Sequence, residues 1–115
     1  KAMNGAKILV LGVAYKQDID DYRESPAIRV INHLLGEGAD VSYYDPWVKQ
    51  FKEGDLVMQS IEELTKTVLG GVDLVIITTA HTNVDYQFVQ KHASFIFDTK
   101  NVMKNVTPRD NIEVL

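Results

Sequence analysis

Lys7-Ile8-Leu9-Val10-Leu11-Gly12, an unbroken apolar run opened by a lysine and closed by a glycine, decides the fold. A strand that is apolar at every position, instead of alternating, is one buried on both faces of a sheet. Val41-Ser42-Tyr43-Tyr44-Asp45, Leu74-Val75-Ile76-Ile77-Thr78 and Ser94-Phe95-Ile96-Phe97-Asp98 read the same way, and Leu56-Val57-Met58 reads as a short edge strand. Between the first two strands lies a marked helix. Ser25 suits its N-cap and Pro26 its first position, where the missing N–H costs nothing. Ala27, Val30, Ile31 and Leu34 share one face, and Gly36 and Gly38 supply the stop. A second helix is expected over 61–69, ending at Gly70-Gly71, and a short third one over 85–91. Strands alternating with helices require right-handed crossovers and a parallel sheet. The expectation is an α/β fold, a Rossmann-like three-layer sandwich around a parallel sheet of about five strands.

The 115 residues suffice for one domain, and no repeat, low-complexity tract or Pro/Ser-rich linker divides them, so 1–115 reads as a single domain. Hydrophobic residues make up 45% and charged residues 24%, ordinary globular usage. Twelve Lys+Arg against sixteen Asp+Glu leave a net charge of −4, which excludes a general nucleic-acid or anionic-membrane binder while leaving room for a local anion site. The absence of cysteine excludes disulfides, thiolate metal sites and a cysteine nucleophile within these residues. The longest apolar run, 8–15, falls far short of the roughly 18 residues a spanning helix needs. The opening Lys1-Ala2-Met3-Asn4-Gly5 carries no signal-peptide core and does not start with Met, as expected of a piece of a longer protein.

In such sheets ligands bind beyond the carboxyl ends of the strands, near the switch point in strand order. The connection from Gly12 to Ser25 is long for a compact domain and dense in charge: Lys16, Asp18, Asp20, Asp21, Arg23 and Glu24. A dinucleotide fold places G-x-G-x-x-G there, but Gly12-Val13-Ala14-Tyr15-Lys16-Gln17 holds one glycine, so the primary NAD site is not expected in these residues. Tyr15 can stack on a nucleobase and Lys16 can pair with a phosphate, or the two are a rim aromatic and a surface charge. Asp98-Thr99-Lys100-Asn101 brings a second cation to the same edge, a phosphate clamp or a polar strand exit. The spacing of Asp18, Asp20 and Asp21 is not that of a calcium loop, and with Arg23 close by they read as orienting Arg23 and Lys16. Asp45 stands where such folds hold a ribose, yet Pro46 follows, so it reads as a turn residue. His81, without an identifiable partner, reads as structural, and His33 and His92 lie on helix flanks.

The run from Lys7 to Ala27, with Tyr15-Lys16-Gln17-Asp18-Ile19-Asp20-Asp21-Tyr22-Arg23-Glu24-Ser25-Pro26 at its centre, resembles the start of the C-terminal, UDP-binding domain of the UDP-glucose/GDP-mannose dehydrogenase family. Gly38-Ala39-Asp40-Val41 leading to Tyr44-Asp45-Pro46 is similar to the family's second strand, and Phe97-Asp98-Thr99-Lys100-Asn101 to its closing motif. The likeness extends over nearly the whole chain. It implies part of an NAD-dependent UDP-sugar 6-dehydrogenase, which oxidises a C6 alcohol to the carboxylate with two NAD+ through a thiohemiacetal on a cysteine. The cysteine, its helpers and the glycine fingerprint would lie in an N-terminal NAD domain and a central helical domain, leaving these residues without catalytic groups and inactive alone. Tyr15, Lys16 and Lys100 are implied as UDP contacts, with Arg23 reaching the NAD held by the N-terminal domain. Lys100 stands where the family commonly has arginine, keeping the charge without the bidentate fork. Tyr22-Arg23-Glu24-Ser25-Pro26 is most similar to the bacterial UDP-N-acetyl-hexosamine branch, such as the UDP-N-acetylglucosamine 6-dehydrogenases. The resemblance further implies a cytoplasmic homo-oligomer serving surface polysaccharide synthesis, with UDP-N-acetyl-hexosamine or UDP-glucose as substrate. No metal, nucleic-acid or membrane partner is expected.

The competing reading is a receiver-like signalling domain, with Asp18, Asp20 and Asp21 as its acidic cluster, Thr78 and Thr79 after the fourth strand and Lys100 after the fifth. Against it, the acids come several residues late, and 56–58 carries no phosphorylatable aspartate at its end.

Overall fold

The computed structural model describes residues 4–115; Lys1-Ala2-Met3, part of the opening read above for a signal peptide, lies outside the described residues. β1 (Lys7–Leu11) sends Ile8 and Val10 to one face of a sheet and Leu9 and Leu11 to the other, each at most 2% exposed. That double burial is what its uninterrupted apolar sequence requires. On the first face it packs on α1 (Pro26–Gly36) through Ile28, Ile31 and Leu34. On the second lie α2 (Lys66–Gly70) and α3 (Tyr86–His92), through Leu69 and Val89. The three-layer sandwich is therefore present. Within α1, Ile28 is buried where the pattern pointed to Val30, which is only partly covered. The Ser25 hydroxyl accepts from the Ala27 N–H, as an N-cap does.

The remaining strands are β2 (Asp40–Tyr44), β3 (Gln50–Glu53), β4 (Leu56–Gln59), β5 (Leu74–Ile77), β6 (Ile96–Asp98) and β7 (Ile112–Val114). The main sheet runs β2-β1-β5-β6-β7, and every neighbouring pair is parallel. The chain leaves β1 for β2 on one side and returns to β5 on the other, so the switch point lies between the carboxyl ends of β1 and β5.

Three expectations change. The strand at 56–58 exists, but as β4 of a separate antiparallel hairpin with β3, and the fifth strand of the main sheet is β7. The second helix starts at Lys66, not at Ile61, because the Ile61 N–H donates to the Tyr43 carbonyl and holds the chain along β2. Thr65 then caps the helix through the Val68 N–H. Among the described residues no helix is long and apolar enough to cross a membrane.

Candidate functional site

Gly12 follows β1 at φ +94°, a left-handed conformation that side chains disfavour. A Cβ built there would lie 2.5 Å from the Thr79 Cβ and 2.9 Å from that residue's backbone N and O. The space a pyrophosphate would need is thus filled by protein, in keeping with the missing glycine fingerprint. Thr78 donates its hydroxyl to the Leu11 and Gly12 carbonyls, and Thr79 donates to the Ala14 carbonyl at 2.8 Å. The end of β5 is thereby laced to the chain leaving β1.

Beyond this seam a hollow of about 470 Å³ is lined by Tyr15, Lys16, Thr78, Thr99 and Lys100, with an apolar wall of Ala14, Ala27 and Val30. An adjoining hollow of about 300 Å³ shares Tyr15, Lys16, Thr78 and Lys100. Ligand-sized clefts start at about 300 Å³. The two lysines come from different strand ends, and the fold places both on one cavity. Lys100 is set by two neighbours: Thr99 donates to the Ile77 carbonyl at 2.6 Å, and the buried Asp98 accepts the Lys100 N–H at 3.0 Å and the Met103 N–H at 2.9 Å. Among the described residues no carboxylate pairs with Lys16 or Lys100, so both charges face the cavity uncompensated. Tyr15 is 52% exposed, a ring with a free face. A larger hollow of about 530 Å³ between β2 and the hairpin has Asp45 and Glu62 against a single Lys49, a poor setting for an anion.

Arg23 sits apart from this cavity. Its guanidinium forks onto the Asp21 carboxylate, Nε at 3.0 Å and Nη2 at 2.9 Å, while its side chain remains 84% exposed. Arg23 holds the Asp21 carboxyl down to about 2. The expected orientation of Arg23 by an acid is present; that of Lys16 is not. Asp18 turns away from both cations and accepts from the Thr82 N–H at 2.9 Å and the Thr82 hydroxyl at 2.8 Å, bonds that lower its carboxyl. The acids thus point to separate partners, and among the described residues no group of three could hold a metal ion.

Asp45 and His81 form the hub beneath the loop. The Asp45 carboxylate accepts from the N–H groups of Val13 (2.8 Å), Ala14 (3.0 Å), Trp47 (2.8 Å) and Val48 (3.1 Å). Its fifth donor is His81 Nε2 at 2.9 Å. Burial raises the Asp45 carboxyl, but the bonds from His81, Val13 and Trp47 outweigh it and leave the group below its ordinary value. The turn into Pro46-Trp47 is as expected, and a carboxylate so engaged has no lone pair left for a ribose. His81, however, has a partner after all. Asp45 lies 36 residues away in sequence, which is why sequence reading left the histidine alone. Thr78 and Thr99, which their positions after strand ends place at the ligand edge, both line the cavity.

Comparisons with known proteins identify the family. The family model described as "UDP-glucose/GDP-mannose dehydrogenase family, UDP binding domain" matches residues 9–105. A UDP-N-acetyl-D-mannosamine dehydrogenase of Methanocaldococcus jannaschii is 33% identical over 105 residues, covering 84% of this chain and 23% of that protein. UDP-glucose 6-dehydrogenase 4 of Oryza sativa subsp. japonica is 46% identical over 61 residues, 52% of this chain and 13% of that protein. A solved UDP-N-acetyl-mannosamine dehydrogenase from S. aureus superposes with a TM-score of 0.69 at 34% identity, over 96% of this chain and 26% of that one. The chain spans about a quarter or less of the length of these relatives. With the parallel sheet, the sequence motifs and the family model in agreement, the chain belongs to the UDP-glucose/GDP-mannose dehydrogenase family, in its UDP binding domain.

Proposed function

We propose that the chain is the C-terminal domain of an NAD-dependent nucleotide-sugar 6-dehydrogenase and that Tyr15, Lys16 and Lys100 hold the UDP end of the substrate. The observation that carries the reading is the convergence of Lys16 and Lys100, both without acidic partners, on one cavity beside an exposed tyrosine. Two cations suit a diphosphate, and the Tyr15 ring offers a stacking face for the base. Lys100 supplies charge without the planar fork of an arginine, so it contributes attraction more than geometry.

NAD is a different matter. With Thr79 packed against Gly12, these residues offer no pyrophosphate cradle, but the exposed Arg23, pre-set by Asp21, fits a single contact to a cofactor carried by another domain. The cofactor would accept the electrons removed from the C6 alcohol on its way to carboxylate. These 115 residues contain no cysteine to hold a thiohemiacetal, and their work is recognition. They grip the remote end of the substrate, so that binding energy far from C6 aligns C6 with groups in the N-terminal and central domains. We place the enzyme in the cytoplasm as a homo-oligomer, acting in bacterial surface polysaccharide synthesis. The sugar is an N-acetyl-hexosamine or glucose, the classes that the relatives' names carry. Steady-state kinetics of the full-length dehydrogenase test the reading. Lys16→Ala is expected to lower kcat/KM for the UDP-sugar by about 10- to 100-fold, the worth of one charge-assisted hydrogen bond. Unchanged kinetics would remove Lys16 from the site.

A further inference from the structure

The loop that carries Tyr15 and Lys16 is gripped on both sides of those residues by one buried acid. Upstream, the Asp45 carboxylate takes the Val13 and Ala14 N–H groups directly. Downstream it acts through His81, whose Nε2 lies 2.9 Å from Asp45 and whose Nδ1 accepts the Asp18 N–H at 2.8 Å. An Nδ1 that accepts a backbone N–H carries no proton, so the ring is neutral and its proton sits on Nε2, aimed at Asp45. The ring is 1% exposed, with Trp47 6.5 Å away centroid to centroid and the Tyr86 hydroxyl donating to the His81 carbonyl at 2.7 Å. Asp18 itself is held at φ +60°, a left-handed conformation unusual for a residue with a Cβ, and its carboxylate is tied to Thr82. Such backbone strain persists only where the surroundings over-determine it.

We propose that His81 is a positioning residue for nucleotide recognition: by joining Asp45 to the Asp18 amide, it fixes the span 15–17 so that Tyr15 and Lys16 face the cavity shared with Lys100. The proposal rests on the reading of Tyr15 and Lys16 as UDP contacts. It requires no proton transfer. The relevant property of the histidine is that it donates at one end and accepts at the other across a buried gap.

Two substitutions separate the two bonds. His81→Asn places a carbonyl oxygen near the former Nδ1 and keeps an acceptor for the Asp18 N–H. His81→Gln places an N–H donor near the former Nε2 and keeps the bond to Asp45. The measurements, on the 115-residue chain, are UDP affinity, thermal midpoint and hydrogen exchange of the Asp18 amide. The Gln variant is expected to expose the Asp18 amide to exchange and weaken UDP binding about tenfold, the scale of one hydrogen bond. The Asn variant should retain both properties to within about twofold at a comparable midpoint. A purely structural histidine would instead give losses that follow the midpoint in both variants, and that result overturns the proposal. If the parent chain binds no UDP, the reading of the site fails separately. The positioning claim is then decided by exchange alone, and equal Asp18 protection in the two variants overturns it.

Discussion

Asp45 is the residue whose removal the fold should feel most, and Asp45→Asn isolates its charge with little change in shape. The carboxylate is 1% exposed and accepts five hydrogen bonds, three at Oδ2 and two at Oδ1. An asparagine has one acceptor oxygen, so its amide must replace one of the two sets. The milder orientation keeps Val13, Ala14 and His81 and turns the amide toward the Trp47 and Val48 N–H groups, setting donor against donor. Two lost bonds to a charged acceptor, at about 1.5–3 kcal/mol each, put the loss at roughly 3–6 kcal/mol. The other three bonds weaken as well, since a neutral acceptor replaces an ionised one. A domain of this size commands about 5–15 kcal/mol, so the variant should remain folded but fragile. Urea unfolding at neutral pH measures it, with Asp40→Asn at the exposed start of β2 as the control expected to shift by less than about 0.5 kcal/mol. A loss below about 1 kcal/mol for Asp45→Asn would refute the claim that this acid organises the strand ends.

Gly12→Ala should cost about 2–5 kcal/mol, combining left-handed strain with overpacking against the Thr79 backbone. Gly54→Ala, at φ +60° with nothing within 4 Å, carries the strain alone, about 1–2 kcal/mol, and equal losses at the two positions would contradict the close approach. Acid should destabilise the fold in a specific window. The Asp45 carboxyl is depressed in the folded state, so its contribution is complete above the unfolded value near 3.9 and is lost as pH falls from there through the folded value. The urea midpoint is therefore expected to fall from pH 6 to pH 3, and less steeply in Asp45→Asn. Parallel slopes for the two proteins would remove Asp45 from the acid response.

The layers of the fold were legible because β1 is apolar at every position from Ile8 to Leu11 and Ser25-Pro26 announces α1. The fifth strand was not, since Ile112-Glu113-Val114 is three residues long with an acid at its centre and is defined by pairing with β6. The second helix is shorter than its apolar pattern suggests because the Ile61 N–H is committed to the Tyr43 carbonyl of β2, a tertiary choice that local periodicity does not encode. Tyr15, Lys16 and Lys100 were placed on one edge by topology alone, and the cavity gathers them. The pairing of Asp45 with His81 is not legible in the sequence for the opposite reason: the two residues lie 36 positions apart, and the hub's members come from three separate strand ends. Arg23 was paired with the right kind of partner, Asp21, through simple proximity in sequence.

The most direct test of the central claim is a titration of the 15N-labelled chain with UDP, followed through its backbone amides. The account predicts saturable shifts concentrated at Tyr15, Lys16, Thr99 and Lys100, with Thr78 moving as the floor of the same cavity. Saturable shifts confined to the 530 Å³ hollow around Lys49 and Glu62, or no shifts at millimolar UDP, would contradict it.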